Sequence, residues 1–143
     1  MPAASIRYET INVGDVLPPL TLPALTRTTL ALYAGASGDH NPMHIDIDFV
    51  RAAGMPDVFA HGMLSMAWLG RLLTLWAPQR DLREFGVRFS AITHVGDRIV
   101  CTGRIAEKLE RDGERLVRVA VATANEAGDV KLAGEALVAA SAS

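Results

Sequence analysis

The chain has only one cysteine, and with a single thiol it cannot close a disulfide within itself. Free cysteines are most often small buried hydrophobic residues, and we predict that role for Cys101, within a strand. A chain without disulfides is compatible with a reducing compartment. The first seven residues also lack the apolar stretch that makes a signal peptide. We therefore expect a cytoplasmic location.

An excess of one charge is missing as well. The 14 lysines and arginines nearly balance the 16 acidic residues, which leaves a net charge of −2. Without a basic excess, nucleic acid is not expected as the main partner. The longest apolar stretch, residues 63–77, is interrupted by Arg71 and is too short to span a bilayer comfortably. These absences predict a soluble protein with no membrane partner.

The chain also lacks the signatures of several common sites. It has no G-x-G-x-x-G and no phosphate-binding P-loop, and G-A-S-G at residues 35–38 is not a nucleophile elbow. The chain has no H-E-x-x-H motif and no cysteine-rich spacing that would indicate a metal site. We therefore predict neither a metal nor a cofactor. The side chains that could in principle offer ligand atoms are Asp39, His40, His44, Asp46 and His61.

What the chain does have is the composition of a globular domain. Half of its 143 residues are hydrophobic and 21% are charged, which predicts a packed core. The length predicts one domain over residues 1–143. Residues 63–76 are apolar on nearly every side. A helix of this kind is expected to be buried all round, and we place it at the centre of the fold.

Turn and capping residues set the other elements. Thr26 is placed to cap a helix over residues 27–36, which Gly35 and Gly38 are expected to end. Glycine-containing turns separate the later strands, so these strands form an antiparallel meander and the fold class is α+β. The remaining predicted elements are strands over residues 20–25, 85–93, 98–110, 116–125 and 130–139, and a helix over residues 46–53 capped by Asp46 or Asp48.

The stretch with the most chemistry runs from residue 37 to residue 61. Asp39 and His44 are five residues apart, which on a helix would place them about 140° apart. Pro42 lacks an N–H and restricts the residue before it, so a helix is not expected here. Gly38 can supply a positive φ just before Asp39. The segment is therefore predicted to be a bent loop that can turn Asp39 and His44 toward one point.

The motif G-D-H-N-P-M-H at residues 38–44 resembles the signature of the MaoC-like hydratases and dehydratases, also called (R)-specific enoyl thioester hydratases. H-G-M at residues 61–63 resembles the start of that family's central helix. The resemblance implies a hotdog fold, in which an antiparallel sheet wraps around a long buried helix. The segments at residues 33–35, 60–64 and 87–89 are similar to the catalytic B subunits of mycobacterial-type 3-hydroxyacyl-ACP dehydratases.

The resemblance also implies an activity and its residues. The activity would be the reversible conversion of a trans-2-enoyl thioester to an (R)-3-hydroxyacyl thioester, which makes the protein a hydro-lyase. Asp39 and His44 would be the catalytic pair, and the Gly62 N–H would polarise the thioester carbonyl. Which of the two acts as the base stays open. Asn41, His61 and Met63 are candidates for binding the substrate, although Asn41 is also suited to shaping the loop.

Two other functions remain to be distinguished. A hotdog thioesterase would need a water aimed at C1 of the thioester, and the Asp-Asn-Pro-His loop fits a hydratase better. A non-catalytic partner subunit would be expected to lack Asp39 or His44, and this chain has both. Because one helix cannot cover a whole sheet, we expect a homodimer or a heterodimer with another hotdog subunit. The substrate carrier, coenzyme A or acyl carrier protein, is left open.

Overall fold

The computed structural model of the chain describes residues 3–142. A two-residue strand comes first, three helices follow it, and the other four strands come last. Single 3₁₀ turns lie at Tyr8–Thr10, Pro42–His44 and Gln79–Asp81. The helices are α1 (Arg27–Ser37), α2 (Ile47–Ala52) and α3 (Gly62–Trp76), and the strands are β1 (Leu20–Thr21), β2 (Leu82–Phe89), β3 (Val100–Arg111), β4 (Glu114–Ala124) and β5 (Val130–Ala139).

The strands form one antiparallel sheet in the order β1-β3-β4-β5-β2. The meander of β3, β4 and β5 is the one predicted from the turns. Asp112 and Gly113 join β3 to β4 with φ of 55° and 78°, which suits the two-residue turn that a tight hairpin requires. β2 lies at one edge beside β5, and the short β1 lies at the other beside β3.

The main core lies between α3 and one face of the sheet. Alternate residues of β4 point into it: Val117, Val119, Val121 and Thr123 are all buried. Leu69, Leu72 and Leu73 of α3 pack against these strand residues. Cys101 belongs to the same core with no exposed surface, which confirms the predicted role. Burial raises the pKa of its thiol to about 11, so the thiol stays protonated at neutral pH.

The prediction that α3 is buried all round was wrong. Met63 and Leu75 are 55% and 63% exposed, whereas Leu69 has no exposed surface. The sheet covers only one side of the helix, so the opposite side faces outward and exposes Met63 and Leu75 beside Arg71 and Thr74. Within residues 3–142, no helix combines the length and the apolarity that crossing a membrane would require.

Several element boundaries also differ from the prediction. The strand expected over residues 20–25 is only Leu20–Thr21, and Pro23 lacks the N–H that would continue its pairing. The strand expected over residues 85–93 is Leu82–Phe89, because the chain leaves the sheet after Phe89 to pass beside the start of α3. Gly35 lies inside α1 and does not end it. The helix ends instead at Gly38, which has a φ of 77° and donates its N–H to the Ala34 carbonyl.

A second, smaller core holds the two short helices against the start of α3. It contains Leu30 of α1, Val50 of α2 and Leu64 of α3. Both predicted helix caps are confirmed. The Thr26 hydroxyl accepts a hydrogen bond from the Thr29 N–H, and the Asp46 carboxylate accepts from the first turn of α2. This core and these caps fix the loop between α1 and α2 in front of α3.

One close approach in the sheet gives a test of its packing. A Cβ added at Gly134 in β5 would lie 2.0 Å from the Gly86 carbonyl oxygen and 2.6 Å from the Val87 Cα in β2. We expect Gly134→Ala to lower the free energy of unfolding by about 1–3 kcal/mol or more, because backbone atoms cannot move aside. The measurement is urea unfolding followed by circular dichroism.

The matched control is Gly86→Ala, on the facing strand. A Cβ at Gly86 meets no atom within 4 Å, so this variant should keep the wild-type stability or gain about 0.5–1 kcal/mol. Equal urea midpoints for the two variants would contradict the close approach of β5 to β2.

Candidate active site

The loop after α1 is held by short-range hydrogen bonds from its own side chains. The Ser37 hydroxyl accepts from the Asp39 N–H at 3.2 Å. One Asp39 carboxylate oxygen, Oδ1, accepts from the Asn41 N–H at 3.2 Å. The Asn41 side-chain oxygen in turn accepts from the Met43 N–H at 3.2 Å. Asn41 therefore shapes the loop, and the second carboxylate oxygen of Asp39 is left for another partner.

His44 ends the 3₁₀ turn of this loop and is 8% exposed. Its Nδ1 lies 2.7 Å from the Phe59 carbonyl oxygen. Because a carbonyl can only accept a hydrogen bond, Nδ1 carries the hydrogen and Nε2 keeps its lone pair. The Phe59 ring also meets the imidazole edge-on at 5.3 Å between centroids. These contacts present Nε2 as a proton acceptor.

His61 lies directly behind His44 and is 1% exposed. The two imidazoles are stacked, with 4.0 Å between centroids and 27° between planes. The His61 Nε2–H donates to the Asp39 backbone carbonyl at 3.1 Å, and Tyr33 packs edge-on against the ring at 4.8 Å. Burial lowers the pKa of His61 below its usual 6.5, against the opposing effect of the hydrogen bond to Asp39.

The structure brings these side chains to one point, as the bent loop predicted. One carboxylate oxygen of Asp39, one ring nitrogen of His44 and one of His61 lie within 4.8 Å of each other. A water oxygen that makes two hydrogen bonds of about 2.8 Å can join two atoms about 4.5 Å apart. The Asp39 carboxylate and the His44 imidazole are therefore close enough to hold the same small oxygen.

Gly62 is the first residue of α3, so its backbone N–H is among those that the helix itself leaves without a partner. A Cβ added at Gly62 would lie 2.9 Å from two ring carbons of Phe89. A cavity of about 360 Å³ opens beside it. The walls of this cavity include His44, Gly62 and Ser65 on one side and residues 89–93 on the other.

The other predicted site residues lie less centrally. Met63 faces outward, 55% exposed, on the uncovered side of α3. His40 is exposed in the loop. Two residues that line the cavity were not predicted from the sequence: Ser65 and Thr93, which are 1% and 3% exposed. Ser65 carried a weak signal as a polar residue in an apolar helix, whereas nothing in the sequence set Thr93 apart from other strand threonines.

The cluster of Asp39, His44 and His61 also has the residue types of a metal site. An imidazole binds a metal through a lone pair in the plane of its ring, at about 2.0–2.1 Å. The rings of His44 and His61 are stacked 4.0 Å apart and nearly parallel. Their lone pairs therefore lie in two nearly parallel planes, and one ion could not lie in both planes at bonding distance without a rearrangement.

Comparison with known proteins assigns the chain to a family. The (R)-hydratase PhaJ1 of Pseudomonas aeruginosa superposes with a TM-score of 0.83 at 28% identity, over 100% of this chain and 90% of that one. A chain of the ChsH1–ChsH2 complex of Mycobacterium tuberculosis superposes with a TM-score of 0.77 at 26% identity, over 92% and 99% of the two chains. These neighbours confirm the hotdog fold.

Sequence relatives agree. The (R)-specific enoyl-CoA hydratase of Rhodospirillum rubrum is 28% identical over 116 residues, which cover 80% of this chain and 78% of the relative. The chain spans only 25% of the 3-hydroxyacyl-thioester dehydratase X of M. tuberculosis, at 34% identity, and 3% of the fatty acid synthase subunit beta of Saccharomyces cerevisiae, at 35%. The family model described as "MaoC like domain" matches residues 16–127. Since this match covers most of the sequence, the chain belongs to the MaoC-like domain family.

Proposed function

We propose that this protein catalyses the reversible addition of water to a trans-2-enoyl thioester, giving an (R)-3-hydroxyacyl thioester. The observation that carries the proposal is the position of the Asp39 carboxylate and the His44 imidazole, within 4.8 Å of each other beside the N-terminus of α3. The relatives named as (R)-specific hydratases and 3-hydroxyacyl-thioester dehydratases support the same reaction.

In the hydration direction, a water held by Asp39 and His44 attacks C3 of the enoyl group. His44 Nε2 takes one proton from the water, because Nδ1 already donates its hydrogen to the Phe59 carbonyl. The electrons of the C2–C3 double bond move toward the thioester oxygen. The imidazolium then returns the proton to C2, so that one molecule of water has been added and the base is regenerated.

Asp39 acts in this scheme as the acceptor of the water's second hydrogen. Its negative charge also stabilises the imidazolium that forms on His44, since opposite charges a few ångströms apart attract. Dehydration follows the same steps in reverse.

The Gly62 N–H stabilises the charge that develops on the thioester oxygen. It lies at the N-terminus of α3, where the helix dipole favours negative charge. A single donor of this kind is worth about 10²–10³ in rate. The cavity beside it, about 360 Å³, is of a size that suits a small acyl group. No step of this scheme requires a metal or a cofactor.

The proposal extends to the partner of this chain. β2 is an edge strand of the sheet, and α3 exposes apolar surface at Leu75. Uncovered strand edges and apolar surfaces favour association. We propose that a second hotdog subunit, identical or related, covers them. Four expectations from the sequence stay predictions. They are a single domain over residues 1–143, a cytoplasmic location, a specific likeness to the dehydratase B subunits, and substrate binding by Met63.

The first test of the reaction is the consumption of crotonyl-CoA or a longer enoyl-CoA by the purified chain, followed as loss of enoyl absorbance. Asp39→Asn and His44→Ala should each lower kcat by about 10²–10⁴, the usual worth of acid–base catalysis. Asn keeps the shape of the loop but cannot carry the charge or the proton. The double variant should cost much less than the product of the single losses, because both groups act on one centre.

His40→Ala is the matched control, because His40 lies in the same loop but is exposed. It should keep wild-type turnover, and all variants should keep the wild-type melting temperature. Near-normal turnover in both Asp39→Asn and His44→Ala would show that the pair is not catalytic. Release of free thiol without hydration would identify a thioesterase instead.

Light scattering tests the partner. At micromolar concentration the chain should have a mass of about twice 15.3 kDa or more. Leu75→Glu should shift the mass toward the monomer, because it places a charge on the exposed side of α3. Leu32→Glu, at an equally exposed leucine on α1, is the control and should leave the mass unchanged. A wild-type monomer would mean that the chain needs a different subunit or none.

Chelation tests the metal-free scheme. Because the rings of His44 and His61 are stacked, we expect exhaustive EDTA treatment to leave kcat and KM unchanged. Elemental analysis of the purified protein should find less than stoichiometric zinc, iron or manganese. Loss of a stoichiometric metal together with loss of activity, and recovery of both on adding the metal back, would overturn the scheme.

A further inference from the structure

We propose that His61 is a positioning residue. It holds Asp39 and His44 in place relative to the N-terminus of α3 and does not itself contact the substrate. The inference rests on the proposed hydration. It assigns to His61 a role different from the direct substrate contact expected from its motif.

His61 is connected to every part of the proposed machinery. It directly precedes Gly62, the proposed donor to the thioester oxygen. Its Nε2–H donates to the Asp39 backbone carbonyl at 3.1 Å, which ties α3 to the loop that carries the carboxylate. Its ring stacks on His44 at 4.0 Å, which limits rotation of the imidazole about its side-chain bonds. One side chain thus links three groups that come from two separate segments.

The contacts of the His61 side chain do not suit two other roles, direct contact with the substrate and capping of α3. With 1% of its surface exposed, the side chain presents almost nothing to a substrate. His61 is also the N-cap residue of α3, but its side chain makes no capping hydrogen bond. Its one protein hydrogen bond leads away from the helix to Asp39. The side chain is therefore not explained by substrate contact or by capping.

The neutral form of His61 suits the positioning role. Burial lowers its pKa, so the ring is uncharged near neutral pH. An uncharged neighbour allows His44 to accept a proton, whereas a second imidazolium stacked at 4.0 Å would oppose it. The charged group that faces both rings is the Asp39 carboxylate, and Tyr33 packs against the far side of His61.

Packing alone would favour a different residue at this position. The Nδ1 atom of His61 is buried without a protein partner, and a buried unpaired acceptor costs stability. A phenylalanine ring fills nearly the same space and leaves no such atom. Its one loss is the donor to the Asp39 carbonyl, and that carbonyl belongs to an exposed residue that water can reach. If His61 only fills space, His61→Phe should keep both the stability and the kcat of the wild type. If His61 positions the loop, the same variant should keep the stability but lose kcat.

The experiment compares His61→Phe with His61→Gln in the full chain. His61→Phe keeps the stacked ring but loses the donor to Asp39. We expect its melting temperature to be equal or higher, its kcat to fall by about 10–100-fold and its KM to change little, since small misplacements of reacting groups have losses of this order. His61→Gln, whose amide can donate from nearly the same position as Nε2, should recover part of kcat.

A second readout does not depend on activity. Amide hydrogen exchange should become faster in residues 38–45 of His61→Phe, while exchange in β3 to β5 stays unchanged. Val50→Ala is the control for general destabilisation, because Val50 is buried in the same small core as the start of α3 and does not belong to the cluster of Asp39, His44 and His61. It should lower the melting temperature and leave kcat near the wild-type value.

The outcomes separate this inference from the proposed function. A wild-type kcat and unchanged exchange in His61→Phe would overturn the positioning role. A loss of kcat that only accompanies unfolding, as shown by a lower melting temperature in both variants, would also overturn it. If the wild-type chain hydrates no enoyl thioester, the proposed function fails, and hydrogen exchange still decides whether His61 holds the loop.

Discussion

The packing of α3 against a single face of the sheet is the constraint on which the rest of the structure depends. Leu69, Leu72 and Leu73 can be removed from water only on that face, and their burial contributes about 1.5–3 kcal/mol each by transfer estimates. Once they are packed, the position of the helix N-terminus is fixed. The short helices α1 and α2 then pack on the start of α3 and carry the loop with Asp39 to it.

The chemistry of the candidate site depends on two backbone carbonyls. The Phe59 carbonyl sets the tautomer of His44, and the Asp39 carbonyl receives the His61 donor. Carbonyl groups do not titrate at neutral pH, so in the proposed reaction these hydrogen bonds persist while the imidazole of His44 accepts and returns a proton. Asp39 remains the one carboxylate of the three-residue cluster. A fixed tautomer beside a single negative charge suits His44 to the role of base that we propose for it.

Sequence alone predicted the parts that local chemistry determines. The Thr26 cap, the hairpin at Asp112 and the convergence of Asp39 with His44 all follow from residues close together in the chain. The exposed side of α3 was not predicted, because Met63 and Leu75 lie on it beside Arg71 and Thr74, while the polar Ser65 is buried. The contact of His44 with the Phe59 carbonyl could not be predicted either, since a backbone oxygen leaves no sign in the sequence. Such contacts depend on the tertiary arrangement.

Buried polar atoms without a hydrogen-bond partner lie beside the candidate site, where they lower the stability of the fold. Within residues 3–142, two buried side-chain polar atoms lack a protein partner: the Nδ1 atom of His61 and the hydroxyl of Thr93. Neither lies in the main core between α3 and the sheet. Thr93 lines the cavity, and His61 stacks on a residue that does. Buried polar groups are ordinarily satisfied, and exceptions tend to mark sites where function competes with stability. The unpaired hydroxyl of Thr93 thus marks the candidate site independently of both motifs, because Thr93 belongs to neither residues 38–44 nor residues 61–63.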